Sequence, residues 1–356
     1  IVTYTGNDTA RSITGLGLAP DVVWVKARNH ASAHQIYDSS RGGSKQLYPN
    51  SSGAEATYSY LVQSFDSDGF SIGPYDNDMN FNGRNYIAWC WRANGGTTAS
   101  NSDGSITSTV QANTKAGFSI CTYTGNATNG ATFGHGLSAK PSFVIIKNRD
   151  ATQKWAVWHQ SAGMTDYKLL FLNTNAALTT EGTQRWDVSA ISSSVFGLGS
   201  HPEINGSSAD YVAYIWHDVE GFSKFGSYEG NGNADGITIV TNFRPRLICI
   251  KSIDSSQDWI VMDTARETFN PLGEKVLAWN DSYAEFDPST VNLDVLSNGF
   301  KLRGNDTKCN ASQTYIYMAF GDIPFKYNNT YKNLFSAGLK NDLEKTNISI
   351  YDSSFN

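Results

Sequence analysis

The sequence predicts an all-β protein: three tandem β-sandwich modules of concanavalin-like or jelly-roll type, followed by a short C-terminal arm. Three observations predict this. One set of short blocks recurs three times in the same order; the blocks are rich in Val, Ile, Tyr, Trp and Phe; and Gly, Asn, Asp and Ser bound them. Helical periodicity is nearly absent before Tyr331.

Each repeat opens alike, with Tyr4-Thr-Gly-Asn7, Tyr123-Thr-Gly-Asn126 and Tyr228-Glu-Gly-Asn231. An apolar run ending in lysine follows: Pro20-Asp-Val-Val-Trp-Val-Lys26, Pro141-Ser-Phe-Val-Ile-Ile-Lys147 and Pro245-Arg-Leu-Ile-Cys-Ile-Lys251. These runs are too short for helices and apolar at consecutive positions, which predicts strands covered on both faces or buried at one end. Each lysine is expected to mark the point where its strand re-emerges into water. Eight residues after each lysine a second strand begins, at His34, Trp155 and Trp259. A third block is centred on Phe70, Phe196 and Phe300, and the last runs Tyr86–Trp91, Tyr211–Trp216 and Tyr315–Phe320. Seven to nine short strands per repeat fit a sandwich of two antiparallel sheets.

The blocks set the expected boundaries: modules at 1–94, 117–219 and 220–325, a flexible Gly/Ser/Thr-rich linker at 95–116, and an arm at 326–356. The second and third modules are joined almost without a linker and are expected to be rigidly coupled, the first less so. Ile1 is not an initiating methionine, and the chain is expected to be a fragment of something longer.

Composition narrows the function classes. The chain is 40% hydrophobic and 13% aromatic but only 17% charged, with a net charge of −6. No Lys/Arg-rich run supports nucleic-acid binding, and no stretch approaches the roughly 20 apolar residues that span a bilayer. Cys90, Cys121, Cys249 and Cys309 form no CxxC pair, so no zinc site is expected; three of them sit inside apolar strand-like runs and are read as small buried hydrophobes, and no disulfide framework is indicated.

The runs Gly117 to Asn126, Gly134 to Pro141 and Phe143 to Arg149 resemble a repeated module of tail-fibre-like virion proteins from marine and cyanobacterial phages, a family of unknown function. The stretches Val219 to Asn231 and Tyr315 to Phe325 look like the same proteins, and the likeness covers about Ile1 to Phe325. It implies a position on the virion exterior, and it carries over no active site.

Few residues suggest chemistry. Asp76, Asp78, Asn80 and Asn82 place oxygen side chains at alternate positions, like the start of a calcium loop. The Gly and Glu that would complete such a loop are missing, and an Asn/Asp/Gly turn is the preferred reading. His30, His34, His135, His159, His201 and His217 have no nucleophile motif beside them. Paired carboxylates for sugar hydrolysis cannot be picked by spacing from Asp66, Asp68, Asp76, Asp78, Glu181, Glu203, Asp258 and Asp263. Trp24, Trp155, Trp158, Trp186 and Trp279 are candidates for stacking on sugars, with core positions expected for most.

The expectation is therefore a non-enzymatic virion protein of tail-fibre or spike type, without catalytic residues, cofactor or metal. It would contact other virion proteins, itself as a homo-oligomer such as a trimer, and a host-surface glycan. A capsid or tail cement protein, a polysaccharide-degrading tailspike and a cellular lectin are the alternatives.

Overall fold

The computed structural model describes residues 1–74 and 78–321. Asp76 and the arm 326–356 lie outside the described residues.

The protein is an all-β sandwich structure, and the same pair of sheets recurs along the chain. In the first repeat the large sheet orders its strands Val2–Thr5, Asn85–Trp91, Val22–Ala27 and Gln35–Asp38. Facing it is a small sheet of Arg11–Thr14, Gly69–Ile72 and Val62–Asp66. The third repeat matches, with Ser223–Glu229, Thr314–Phe320, Leu247–Ser252, Ile260–Asp263 and Leu277–Ala278 in the large sheet. In the second, Phe118–Thr124, Asp210–Trp216, Phe143–Asn148 and Ala156–His159 take the equivalent places, opposite Ala131–Gly134 and Val195–Leu198. The pairing register is conserved between repeats: Trp24 lies opposite Trp89, Ile145 opposite Tyr214 and Cys249 opposite Met318.

The apolar strands are continuous because both faces are covered. Along Val22–Ala27, alternate side chains point opposite ways. Val23, Val25 and Ala27 pack toward the small sheet with Phe70 and Ile72, while Val22 and Trp24 enter a second cluster. That second cluster runs through all three repeats, joining Trp24, Trp89 and Trp91 to Ile145, Trp155 and Trp216 and to Cys249, Trp259 and Phe320. The three large sheets thus turn their outer faces toward one another around a shared core.

The junctions between repeats are cyclic. At the position held by His34, Trp155 and Trp259, each side chain crosses into a neighbouring repeat. His34 bonds the Ala278 carbonyl at 3.0 Å. Trp155 Nε1 donates to the Tyr48 and Ser51 carbonyls, each at 3.0 Å, and Trp259 Nε1 donates to the Phe171 carbonyl at 2.9 Å. The first repeat therefore grips the third, the second grips the first and the third grips the second. A head-to-tail contact that closes after three steps gives threefold pseudosymmetry within a single chain.

Two expectations change. Residues 95–116 are not merely a linker, because they contain the strands Ala99–Asn101 and Ser108–Asn113, and the latter pairs with Phe118–Thr124 along its whole length. Polar composition hid these strands: they form one edge of the sheet, and an edge tolerates Ser, Thr and Asn on its exposed positions. The first repeat is also no loosely tethered module, since Trp91 touches Trp216 and Phe320 with ring centroids 5.7 and 5.9 Å apart.

Candidate functional site

Lys26, Lys147 and Lys251 do not re-emerge into water; all three are fully buried. Each ammonium turns back onto main-chain carbonyls. Lys26 bonds those of Ala27 and His30, Lys147 those of Asn148 and Ala151, and Lys251 those of Ser252 and Asn175, the last from the second repeat. Burial pulls each ammonium down to about 8. The lysines close the ends of buried strands where carbonyls would otherwise lack donors.

The oxygen-rich turn is a structural clasp. Asn80 is buried; its Nδ2 donates to the carbonyls of Thr9 and Gly73, and its Oδ1 accepts from Asn7 N. Asn205 makes the same bonds to Thr128, Gly199 and Asn126. Asn310 repeats them with Asn233, Gly304 and Asn231. Asp78 bears electrostatically on Lys26, and Asn82 N donates to Asp8. Among the described residues no group of three His, Cys, Asp or Glu could hold a metal ion.

Above each clasp, two tyrosines stack at 5.1 to 5.2 Å: Tyr4 on Tyr86, Tyr123 on Tyr211 and Tyr228 on Tyr315. The opening tyrosine hydroxyl donates to a carbonyl in the loop that bears the clasp, at Met79, Ile204 or Cys309. The sequence signal was present in the Asn five or six residues before Tyr86, Tyr211 and Tyr315.

The other candidates are also built into the fold. Trp24, Trp155, Trp158, Trp186 and Trp279 are buried. Asp66 accepts from Ser64 and Ser71, Asp68 from the amides of Gly15 and Gly17, and Asp258 from Asn280. Glu181 and Glu203 are brought together on one guanidinium, that of Arg185, at 3.7 and 3.1 Å; burial raises the Glu203 carboxyl in spite of that cation. His135 bonds the Ser192 carbonyl, and His201 accepts from Glu203 N at the start of a single helical turn. His30 meets the Ser32 hydroxyl and His217 the Asp218 carbonyl. Burial pushes the thiols of Cys90, Cys121 and Cys309 up to about 12, so they stay protonated at neutral pH.

Spacing did not expose the ionic joints between repeats. At the first–second junction Arg149 meets Glu55 at 2.9 Å, Arg41 links Glu55 at 2.8 Å to Asp38 at 2.5 Å, and Tyr214 donates to Asp38. At the first–third junction Arg28 meets Glu285 at 2.6 Å, Arg266 joins Glu285 to Asp263, and Trp89 donates to Asp263. The second–third junction fills the same places with Ala162 and Met318 in the shared core, with Leu178 and Ile253 packed against it, and with His159 where the other two have aspartate. The backbone bond beneath is kept: Glu55 N to Arg149 O, Glu285 N to Arg28 O and Leu178 N to Ile253 O. An Asp-x-x-Arg spacing at Asp38 and Asp263 was the legible half of this signal.

Two surface features remain. Where the last strands of the large sheets end, all three repeats line a cleft of about 510 Å³ that includes Trp91, Phe118, Phe222, Leu247 and Phe320. Elsewhere Tyr58, Tyr60, Tyr167, Phe269 and Tyr283 expose their rings, and Tyr58 and Tyr60 lie 5.9 Å apart. The cleft and the exposed rings can bind by burial and stacking.

Fold and site together define a triplicated, pseudo-threefold all-β protein whose buried polar side chains join its repeats. Residues 1–324 match the family described as Domain of unknown function (DUF7483), and the chain belongs to that family. No curated protein and no solved structure matches it.

Proposed function

We propose that the protein is a non-enzymatic structural component of a phage virion, of tail-fibre or spike type, that offers its loops to a host surface and contacts other virion proteins. The supporting observation is the closed array itself. Three repeats around one core make a rigid block, and the buried lysines, arginines and carboxylates are engaged in holding it together. Self-association as a homo-oligomer, such as a trimer, is part of the same proposal. The exposed rings of Tyr58 and Tyr60 are suited to stacking on the apolar face of a sugar. Glycan-array binding by the intact chain, compared with Tyr58→Ala/Tyr60→Ala, tests attachment. Retained glycans whose signal falls in the double variant support it, and an array without hits speaks against it.

The cleft shared by the three repeats favours a second reading, a cement protein that seats another virion component there. Imaging of the assembled particle separates the two. Free loops pointing outward favour attachment, and loops buried against capsid or tail subunits favour cement.

A further inference from the structure

The three junctions are equivalent in geometry and unequal in chemistry, and the inequality falls on histidine. At the first–third junction His34 is fully buried, with its ring edge to Trp24 and stacked on Trp89. Trp24 Nε1 lies 3.0 Å from His34 Nδ1. An indole nitrogen can only donate, so Nδ1 must accept. The proton then sits on Nε2, which donates to the Ala278 carbonyl of the third repeat. At the second–third junction His159 is buried between Phe143 and Phe225. Its Nδ1 accepts from Ser161 N, and its Nε2 donates to the Tyr317 carbonyl, again in the third repeat. Both imidazoles are thus fixed in the neutral Nε2–H form, with the second nitrogen blocked by a donor.

The first–second junction differs. Trp155 replaces histidine there, and Asp38 with Arg41 stands where His159 stands. The third repeat is therefore bordered on both sides by a buried histidine, whereas the first and second meet without one.

We propose that acid selectively loosens the third repeat from the other two, the first–second contact staying closed. Protonating Nδ1 of either histidine sets two donors against each other and places a cation in an apolar junction, and opening the junction lets water take the ring. The charges around His34 act the same way. The Lys26 ammonium on its own sheet and the Arg266 guanidinium from the third repeat both oppose a second cation, and the Asp263 and Glu285 carboxylates near them are paired with Arg266. The groups packed on His159 are Phe143, Phe225 and the Tyr317 carbonyl, and among the described residues no charged side chain bears on it. Burial holds His159 at about 4 and His34 well below its ordinary value. If opening returns His159 to about 6.5, that residue alone favours the open junction roughly 80-fold at pH 4.5, and His34 adds to it.

The test is hydrogen exchange on the full chain at pH 7 and pH 4.5, corrected for intrinsic rates. The reporters are the inter-repeat amides of Ser32 and Glu285 at the first–third junction, Leu178 at the second–third, and Glu55 and Gln153 at the first–second. Expected is a loss of protection on the order of 100-fold at Ser32, Glu285 and Leu178. Glu55, Gln153 and the strand amides within the third repeat should stay protected. His135 and His201 lie within the second repeat, so their titration would loosen that sandwich and not the junctions of the third. The double variant His34→Gln/His159→Gln, which keeps a donor toward each carbonyl without a titrating group, should abolish the response. Equal loss at all three junctions, no loss at any, or an unchanged response in the Gln variant overturns the proposal. If the variant fails to fold, the pattern of protection in the native chain decides alone.

Discussion

Trp24 and Trp279, which lie in the first and third repeats, stack with ring centroids 4.6 Å apart and planes inclined by 29°. Trp89 meets the same Trp279 edge-on at 6.1 Å. This contact closes the array, because no short stretch of chain joins those two repeats. Its strength decides whether the protein unfolds as one body.

Trp279→Ala removes a fully buried indole at that closure and should cost about 3–5 kcal/mol. Chemical denaturation followed by two probes, one in the first repeat and one in the second, checks the consequence for cooperativity. The native chain should give one coincident transition, and the variant should unfold at lower denaturant with the loss shared by both probes.

The apolar second–third junction suggests an exchange at the first–second one. Glu55→Leu alone leaves Arg41 and Arg149 without their shared carboxylate and should destabilise by about 3 kcal/mol or more. Adding Arg149→Ile, which copies the Leu178–Ile253 contact, should recover at least half of that loss. A double-mutant cycle measured by urea unfolding gives the coupling. A double variant no more stable than Glu55→Leu would show that the apolar solution cannot be transplanted.

The asparagine clasp predicts an unusual order of substitutions. Asn205→Ala strands the buried Gly199 carbonyl and the part-buried Thr128 carbonyl and should cost about 1–3 kcal/mol. Asn205→Asp preserves the shape but turns a carboxylate oxygen toward the same two carbonyls, and at pH 7 it should be the worse of the pair. Thermal unfolding of both variants ranks them.

The buried lysines predict a pH dependence. Lys147 is held at about 8 in the folded protein, below its ordinary value near 10.5, so between those values the unfolded chain binds more protons. Stability must therefore rise with pH across this window, and below pH 8 the cost of the buried ammonium is fully present. Comparison with Lys147→Met isolates the effect from titrating thiols and tyrosines. The difference in unfolding free energy should move in favour of the native chain by about 3 kcal/mol between pH 8 and 10.5.

How much of this was legible in the sequence depended on how local each signal was. Val22–Ala27 and its counterparts read as strands because a short apolar run bounded by turn residues has few other solutions. The same runs misled about Lys26, Lys147 and Lys251. A terminal lysine usually snorkels to water, and nothing local reveals that the strand end is buried in the folded array. Ser108–Asn113 was hidden because edge strands borrow the composition of linkers. The Arg41–Glu55–Arg149 joint was invisible for another reason, since its members are brought together only when the array closes. The asparagine clasp was within reach, but the Asp76–Asn82 turn drew attention to Asn80 as a ligand when its counterparts are Asn205 and Asn310.

The shared core has a further consequence for how such a chain can change by duplication. An open solenoid gains or loses a unit at its end with little penalty, because each unit touches only its neighbours. Here every repeat supplies a sector of one interior and both grips and is gripped, so copy number is geometrically locked at three. Deleting one repeat would do more than shorten the protein; it would lay open the core-facing sides of the two that remain. Variation in length is therefore confined to the loops and to the outer edges of the sheets, as the two added strands beside Phe118–Thr124 already illustrate.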